Sequence, residues 1–185
     1  MTATTDTDRV AGALAVLYDP GDVVELRIPQ AGRGTVSGYY DDLTALARDA
    51  AAWSGRAAGV YTTLNPVNPA LLARSANRLT AYVRHTTADT DILRRRWLPI
   101  DCDPDRPAGI SSTDAEHAAA LERAEAIAAW LRTRGWPDGI LADSGNGGHL
   151  LYRIDLPNDA ARTALVNRCL QALDFLHSDG VVKVD

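Results

Sequence analysis

The chain has 185 residues, enough for one packed domain, or one domain of two lobes, that buries roughly 70% of its unfolded surface. Its 46% apolar and 23% charged residues exclude the composition of a disordered chain, and a net charge of -5 excludes coating of nucleic acid through bulk electrostatics. Cys102 and Cys169 lie far apart with no second thiol or histidine at finger spacing, no apolar run approaches the roughly 18 residues of a spanning helix, and "MTATTDTDRV" lacks a signal peptide's pattern. These features exclude a disulfide framework and a zinc cluster, and the expectation is a cytoplasmic protein with no membrane partner.

Val10, Leu14 and Leu17 recur at helical spacing and stop before "DPGD". "VVELRI" then alternates Val24, Leu26 and Ile28 against Glu25 and Arg27, the pattern of a half-buried strand. "AGRGTVSG" reads as a glycine-rich loop, followed by a helix from about Asp42 to Trp53 with Gly55 beyond its end. "AAGVYTTLNP" is the next predicted strand, and Asn68 with Pro69 opens a short helix through Leu79.

A long strand is predicted from about Asp91 to Asp103, with "RPAGIS" as the loop after it. Thr113 and Glu116 form a capping box, and Ala120, Ala124, Ile127, Ala128 and Leu131 stripe the helix that Gly135 and Pro137 end. "GILAD" and "HLLYRID" read as two strands joined at the glycines. Asn158 or Asp159 starts the last helix, and "VVKVD" is a final short strand. The fold class is therefore α/β (α+β): a smaller N-terminal α/β lobe over about residues 1–88, packed on a second lobe over about 89–185. That second lobe runs strand, helix, strand, strand, helix, strand, the order of a split βαβ or ferredoxin-like sheet.

On a strand, residues two apart share a face, so Asp101 and Asp103 in "LPIDCDPD" project together about 6 to 7 Å apart. Leu98, Ile100 and Cys102 face the other way, into the core. The two carboxylates repel by roughly 2 to 3 kcal/mol at an effective dielectric near 20, and a divalent cation relieves that repulsion. The spacing alone says little, since 20 aspartates give about two chance D-x-D matches and the chain holds four. Asp6 with Asp8 and Asp89 with Asp91 read as solvated pairs, whereas Asp101 and Asp103 end an apolar strand.

In the split order, the strand beginning at His149 neighbours the one carrying Asp101 and Asp103. The loop before it, Ser144, Gly145, Asn146, Gly147 and Gly148, offers backbone N–H groups and a hydroxyl without bulk, as a phosphate needs. The plain alternative is a hairpin turn whose glycines supply positive φ. Asp185 ends the last apolar strand with Lys183 on the same face, so it is a candidate third carboxylate for a two-metal site. Arg33, Arg74, Arg78 and the run Arg94, Arg95 and Arg96 are the candidate nucleic-acid contacts. Asn65 in "TLNP" is either a turn residue or part of a cleft, and Trp97 and Trp130 read as core.

Taken together, "PIDCD", "SGNGGH" and "VVKVD" resemble the catalytic core of the archaeo-eukaryotic primase superfamily, in the form found in primase-polymerases of plasmids, phages and mobile elements. "GVYTTLNPVNPALLARSANRL" and "RPAGISSTDAEHAAAL" are also similar to segments of those enzymes, so the resemblance runs from about Leu17 onward. It implies a two-lobed primase-polymerase core. Asp101, Asp103 and Asp185 would hold two Mg2+ or Mn2+ ions, and His149 with Ser144 would contact the triphosphate of a ribo- or deoxynucleoside triphosphate, with Lys183 adding charge there. The implied reaction is template-directed nucleotidyl transfer, with single-stranded DNA template and primer as partners and a helicase fused or in trans. The family's domain continues beyond its third acidic motif, so the expectation is a chain cut short there; the zinc-binding insertion of some members has no counterpart here. Two rival expectations are a non-catalytic replication-initiator relic of the same fold and a metal-dependent nuclease or phosphohydrolase.

Overall fold

The computed structural model describes residues 6–32, 34–107 and 110–185, so Arg33 lies outside the described residues. The chain divides into two compact units, Met1–Arg94 and Arg95–Asp185. Both are mixed: helices accompany a three-stranded sheet in the first and a four-stranded sheet in the second. Among the described residues, no helix is long and apolar enough to cross a membrane.

In the N-terminal unit, helix α1 (Asp6–Leu17) precedes strands β1 (Val24–Ala31) and β2 (Gly34–Tyr40). Helix α2 (Leu43–Trp53) and the short strand β3 (Tyr61–Thr62) follow. The Asp42 side chain caps α2 by accepting from the N–H groups of Thr44 and Ala45. The sheet order is β2-β1-β3 with both pairings antiparallel. Leu14, Leu26, Ile28, Tyr40 and Leu46 make its core with the apolar faces of α1 and α2.

Three expectations need correction here. The stretch read as a glycine-rich loop is mostly strand: residues 34–40 pair with β1, and glycine is required at 38 because a Cβ there would meet the Arg78 carbonyl oxygen at 2.0 Å. The strand read from "AAGVYTTLNP" spans only Tyr61–Thr62. The helix expected through Leu79 is a 3-10 helix over Pro69–Arg74, so Arg74 and Arg78 share no helix face. Beyond Arg74 the chain turns back along β2: the Tyr39 N–H donates to the Ser75 carbonyl, and Ser37 and Thr80 exchange backbone bonds, with Asn77 at φ 50° between them.

The fourth correction is Glu25, read as lying on the polar face of a half-buried strand. It is fully buried. One carboxylate oxygen accepts from Arg27 Nε at 3.2 Å and from the Ser37 hydroxyl; the other accepts from Arg27 Nη2 at 2.6 Å and the Thr87 N–H at 3.0 Å. β1 is the central strand, and Arg27, Ser37 and Thr87 close over the carboxylate, so it lies buried on a face where Arg27 stays partly exposed.

In the C-terminal unit, β4 (Arg94–Pro104) leads to α3 (Asp114–Arg132), β5 (Ile140–Asp143), β6 (Gly148–Pro157), α4 (Ala160–His177) and β7 (Val182–Val184). Thr113 and Glu116 form the expected capping box, and Asp159 caps α4. The sheet order β5-β6-β4-β7 makes β4 and β6 central neighbours, as the split order requires. Strand β4 starts later than expected, because Asp89–Asp91 forms a short 3-10 helix before it. Leu98, Ile100 and Cys102 pack with Ala120, Ala124, Ile127, Leu173, Val182 and Val184 in one core.

Burial raises the Glu25 pKa, but the bonds from Arg27, Ser37 and Thr87 outweigh it and hold the carboxyl below its ordinary value. A depressed carboxylate contributes stability that is present above the unfolded-state pKa and is lost as pH falls through the folded one. Glu25→Gln keeps the shape and strands the Arg27 charge, so it should cost about 3 kcal/mol at pH 7. That gap should narrow progressively as urea denaturation is repeated at pH values falling from the unfolded-state carboxylate pKa through the lower folded one, since only the wild type has a carboxylate contribution to lose.

Candidate functional site

The four-stranded sheet has a core face and a second face that carries the acids. Alternation along β4 sends Ile100 and Cys102 into the core and Asp101 and Asp103 to the other side, and Lys183 and Asp185 follow the same rule at β7. The two strands run antiparallel with Cys102 opposite Val184 and Asp103 opposite Lys183. One rung further, Asp101 and Asp185 exchange both backbone hydrogen bonds, at 2.7 and 2.9 Å. That exchange makes them a directly facing pair, with Cα atoms about 5.5 Å apart. The sequence reading's three acids therefore come together on one sheet face, and Lys183 stands among them.

Asp101 is the most constrained of the three. Burial first, and then the negative charges of Asp103 and Asp185, push its pKa above the ordinary value, while His149 pulls the other way. His149, at the start of β6, brings Nε2 to 3.1 Å from Asp101 Oδ1. The contact has no hydrogen-bond geometry: Asp101 Oδ1 is buried and without a hydrogen-bond partner. Lys183 Nζ binds Asp185 Oδ2 at 2.6 Å, and that bond and charge raise the lysine's pKa. Among the described residues, no three His, Cys, Asp or Glu side chains close on a common point as metal ligands would.

The glycine loop closes tightly beside these acids. The Ser144 hydroxyl accepts from the N–H groups of Asn146 (3.3 Å) and Gly147 (2.9 Å) and lies 3.1 Å from the Gly147 carbonyl, to which it donates. The Gly145 N–H donates to Asp143 Oδ1 at 2.7 Å, and Gly145 has φ 82°. The three N–H groups thus have acceptors inside the loop, and an anion binding to them has to displace these. Gly147 has a separate reason to be glycine: a Cβ there would sit 2.4 Å from both Asp103 Oδ1 and the Cys102 carbonyl oxygen. At Gly148 a Cβ would press on Ala124 at 3.1 Å. The loop's bareness lets it lie against the acidic strand on one side and α3 on the other.

Two further ties went unread in the sequence. His117, in the first turn of α3, brings Nε2 to 2.7 Å from Asp143 Oδ1; the Gly145 N–H first, and then this contact, hold the Asp143 carboxyl below its usual range. Asn146 Oδ1 accepts from the Ser112 N–H at 3.1 Å. Each pins the loop to the segment that begins α3. An acidic residue immediately before a glycine run and a histidine in a helix's first turn were the available signals, but nothing in their spacing couples them. Of the candidate cations, Arg95 Nη2 donates to Thr163 Oγ1 at 3.0 Å. Trp97 is buried as expected, whereas Trp130 is only partly so and carries the Arg134 guanidinium 3.5 Å above its ring.

Gly147→Ala tests how closely the loop and β4 are seated. The added methyl meets a backbone carbonyl that cannot move aside, so the variant should lose about 1 to 3 kcal/mol in urea denaturation. Gly145→Ala meets nothing within 4 Å but carries the cost of positive φ, and it should lose about 1 kcal/mol.

No protein-family model, no curated protein and no solved structure matches this chain, so what the site does has to be argued from the carboxylates, the imidazole and the loop themselves.

Proposed function

We propose that the chain is a template-directed nucleotidyltransferase, a DNA primase-polymerase of the plasmid and phage type, working by a two-metal mechanism with Mg2+ or Mn2+. The observation that carries the reading is the directly facing pair Asp101 and Asp185, with Asp103 on the same face and Asp101 Oδ1 buried without a hydrogen-bond partner. Three carboxylates against one ammonium leave an excess of negative charge on a few square nanometres of sheet, which a divalent cation neutralises. The donor set is all oxygen, suited to a hard ion, and the buried Oδ1, which no hydrogen bond satisfies, is an acceptor such an ion could take. By those two tests the residues fit the ions, provided that the carboxylates turn toward one another and Lys183 releases Asp185.

In this reading Asp101, Asp103 and Asp185 hold the ions. When bound, such ions lower the pKa of a 3′-hydroxyl and offset charge on a triphosphate. The chain's own contribution is orientation. β4 and β7 fix the acids in register; the closed loop brings β6 in so that His149 lies over Asp101; and His149 and Lys183 supply donors to the phosphate oxygens of an incoming nucleotide. Ser144 supports the loop in this arrangement, and a hydroxyl already holding Gly147 reaches a phosphate only at the expense of that turn. The two-lobed primase-polymerase core, with single-stranded template and primer and an associated helicase, belongs to the same proposal.

A primer-extension assay with Mn2+ and all four nucleotides tests it. The wild type should extend a primed template, and Asp101→Asn and Asp103→Asn should each reduce extension at least 100-fold. Their unfolding temperature should stay level or rise, because each substitution removes a like charge from a crowded face. His149→Ala should weaken nucleotide binding about tenfold while the fold is kept. Full extension by Asp101→Asn would remove the metal assignment, and release of mononucleotides in place of extension would favour a nuclease.

A further inference from the structure

Strand β7 is three residues long and lies at the sheet edge beside β4, yet the place of Asp185 depends on it. A strand this short gains little from its own ladder, so its seat has to come from outside the ladder. We infer that Arg123, on α3, is the positioning residue: it fixes the turn that feeds β7, sets Asp185 opposite Asp101 through that turn, and so governs how tightly the acidic face holds divalent ions. The seating stands on its own; its effect on ions rests on the two-metal reading.

The Arg123 guanidinium ties together two groups 54 and 56 positions further along the chain. Nη1 donates to the carbonyl of His177, the last residue of α4, and Nη2 donates to Asp179 Oδ2. The other oxygen of Asp179 accepts from the N–H groups of Val181 at 2.8 Å and Val182 at 2.9 Å, and the Asp179 N–H donates to the Val182 carbonyl at 3.0 Å. One carboxylate thus closes the turn with one oxygen and fastens it to α3 with the other. The Val182 N–H, then Arg123, then the Val181 N–H bring its pKa down to about 2, so the anchor stays charged at neutral pH.

A second tie acts at the far end of the strand. Asp101 and Asp185 exchange their backbone bonds, so in an antiparallel ladder the adjacent residue, Val184, turns its N–H away from β4. The Ser178 hydroxyl takes that N–H at 2.9 Å and donates to Asp174 on α4. Ser178 directly follows the residue whose carbonyl Arg123 holds, so both ties meet at one corner. The corner has a firm support, because Ala120, Ala124 and Ile127 of α3 are fully buried in the unit's core. The same helix backs the other half of the site: a Cβ on Gly148, the residue before His149, would press on Ala124. Arg123 therefore extends to Asp185 the frame that already carries the imidazole.

Amide hydrogen exchange, read by NMR on the 15N-labelled full chain without metal, tests the seating, and an EPR titration with Mn2+ tests its consequence. Arg123→Ala should speed exchange at the Asp101 and Asp185 amides, which close the rung, by at least about tenfold, while amides of α3 and β6 stay within about twofold. Mn2+ affinity should fall about tenfold in the same variant. Arg123→Lys keeps a cation for Asp179 and should recover most of both. Asp179→Asn breaks the contact from the other side and should reproduce both changes, so the test survives if Arg123→Ala does not fold. Unchanged exchange at Asp101, faster exchange spread evenly over the unit, or full Mn2+ affinity with the rung loosened would each overturn the inference. A wild type that binds no Mn2+ would overturn the two-metal reading and the ion half of this one, with exchange still deciding what seats β7.

Discussion

The rung at which Asp101 and Asp185 face each other sets the character of the C-terminal unit. Like charges directly opposite on neighbouring strands destabilise a sheet, and a third acid two residues along adds to the repulsion. The sheet keeps this rung because the opposite face of the same strands is core: Ile100, Cys102, Val182 and Val184 are all but fully buried against α3 and α4. Each such side chain contributes about 1.5 to 3 kcal/mol through burial, which outweighs the roughly 2 to 3 kcal/mol of a charge pair at this spacing. Strand alternation then leaves no freedom. With the apolar residues fixed inward, the acids have one face to occupy, and a register slip of a single residue in β4 would bury Asp101 and Asp103 together.

The glycine loop is a consequence of the same rung. A loop that carries the histidine to Asp101 has to pass beside Asp103 and the Cys102 carbonyl, and Gly147 passes there only because it has no side chain. The loop holds itself together through Ser144 and Asp143 and is tied to the start of α3 by His117 and Ser112. Its glycines thus serve close approach more than flexibility, and φ 82° at Gly145 completes a turn whose other members have bonded partners. The phosphate-cradle reading and the hairpin-turn reading of this stretch are therefore less opposed than they look, since a turn this closed still delivers an imidazole to the acidic face.

How far the sequence could be read depended on how local each cause was. Helices α3 and α4 announce themselves through Thr113, Glu116 and Asp159, whose side chains act within three residues, and β4 does so through a strict alternation that ends in Asp101 and Asp103. The β5, β6 and β7 assignments followed for the same reason. The N-terminal unit was less legible because its causes are distant. Glu25 alternates like a solvent-facing residue and is buried by Thr87, 62 positions on. Gly38 is a strand residue because the Arg78 carbonyl lies against it, and the helix expected through Leu79 gives way to a segment that bonds to β2. In the site, the acids and the imidazole were readable from pattern, whereas His117 with Asp143 was not, because that contact exists only once α3 and β5 are side by side.

The two units use one device with opposite intent. In the N-terminal unit a buried carboxylate is satisfied four times over, and its environment lowers its pKa; in the C-terminal unit a carboxylate oxygen is buried without a hydrogen-bond partner, with His149 Nε2 3.1 Å away, and its environment raises its pKa. A satisfied buried charge makes a rigid scaffold, which is how Glu25 fixes Arg27 and, through the Thr87 N–H, the segment behind it. An unsatisfied one raises the free energy of the protein as it stands and lowers the free energy of any state that supplies a positive partner. At the centre of the crowded acidic face that oxygen lies 3.1 Å from His149 Nε2, whose charge offsets part of the cost without closing a hydrogen bond.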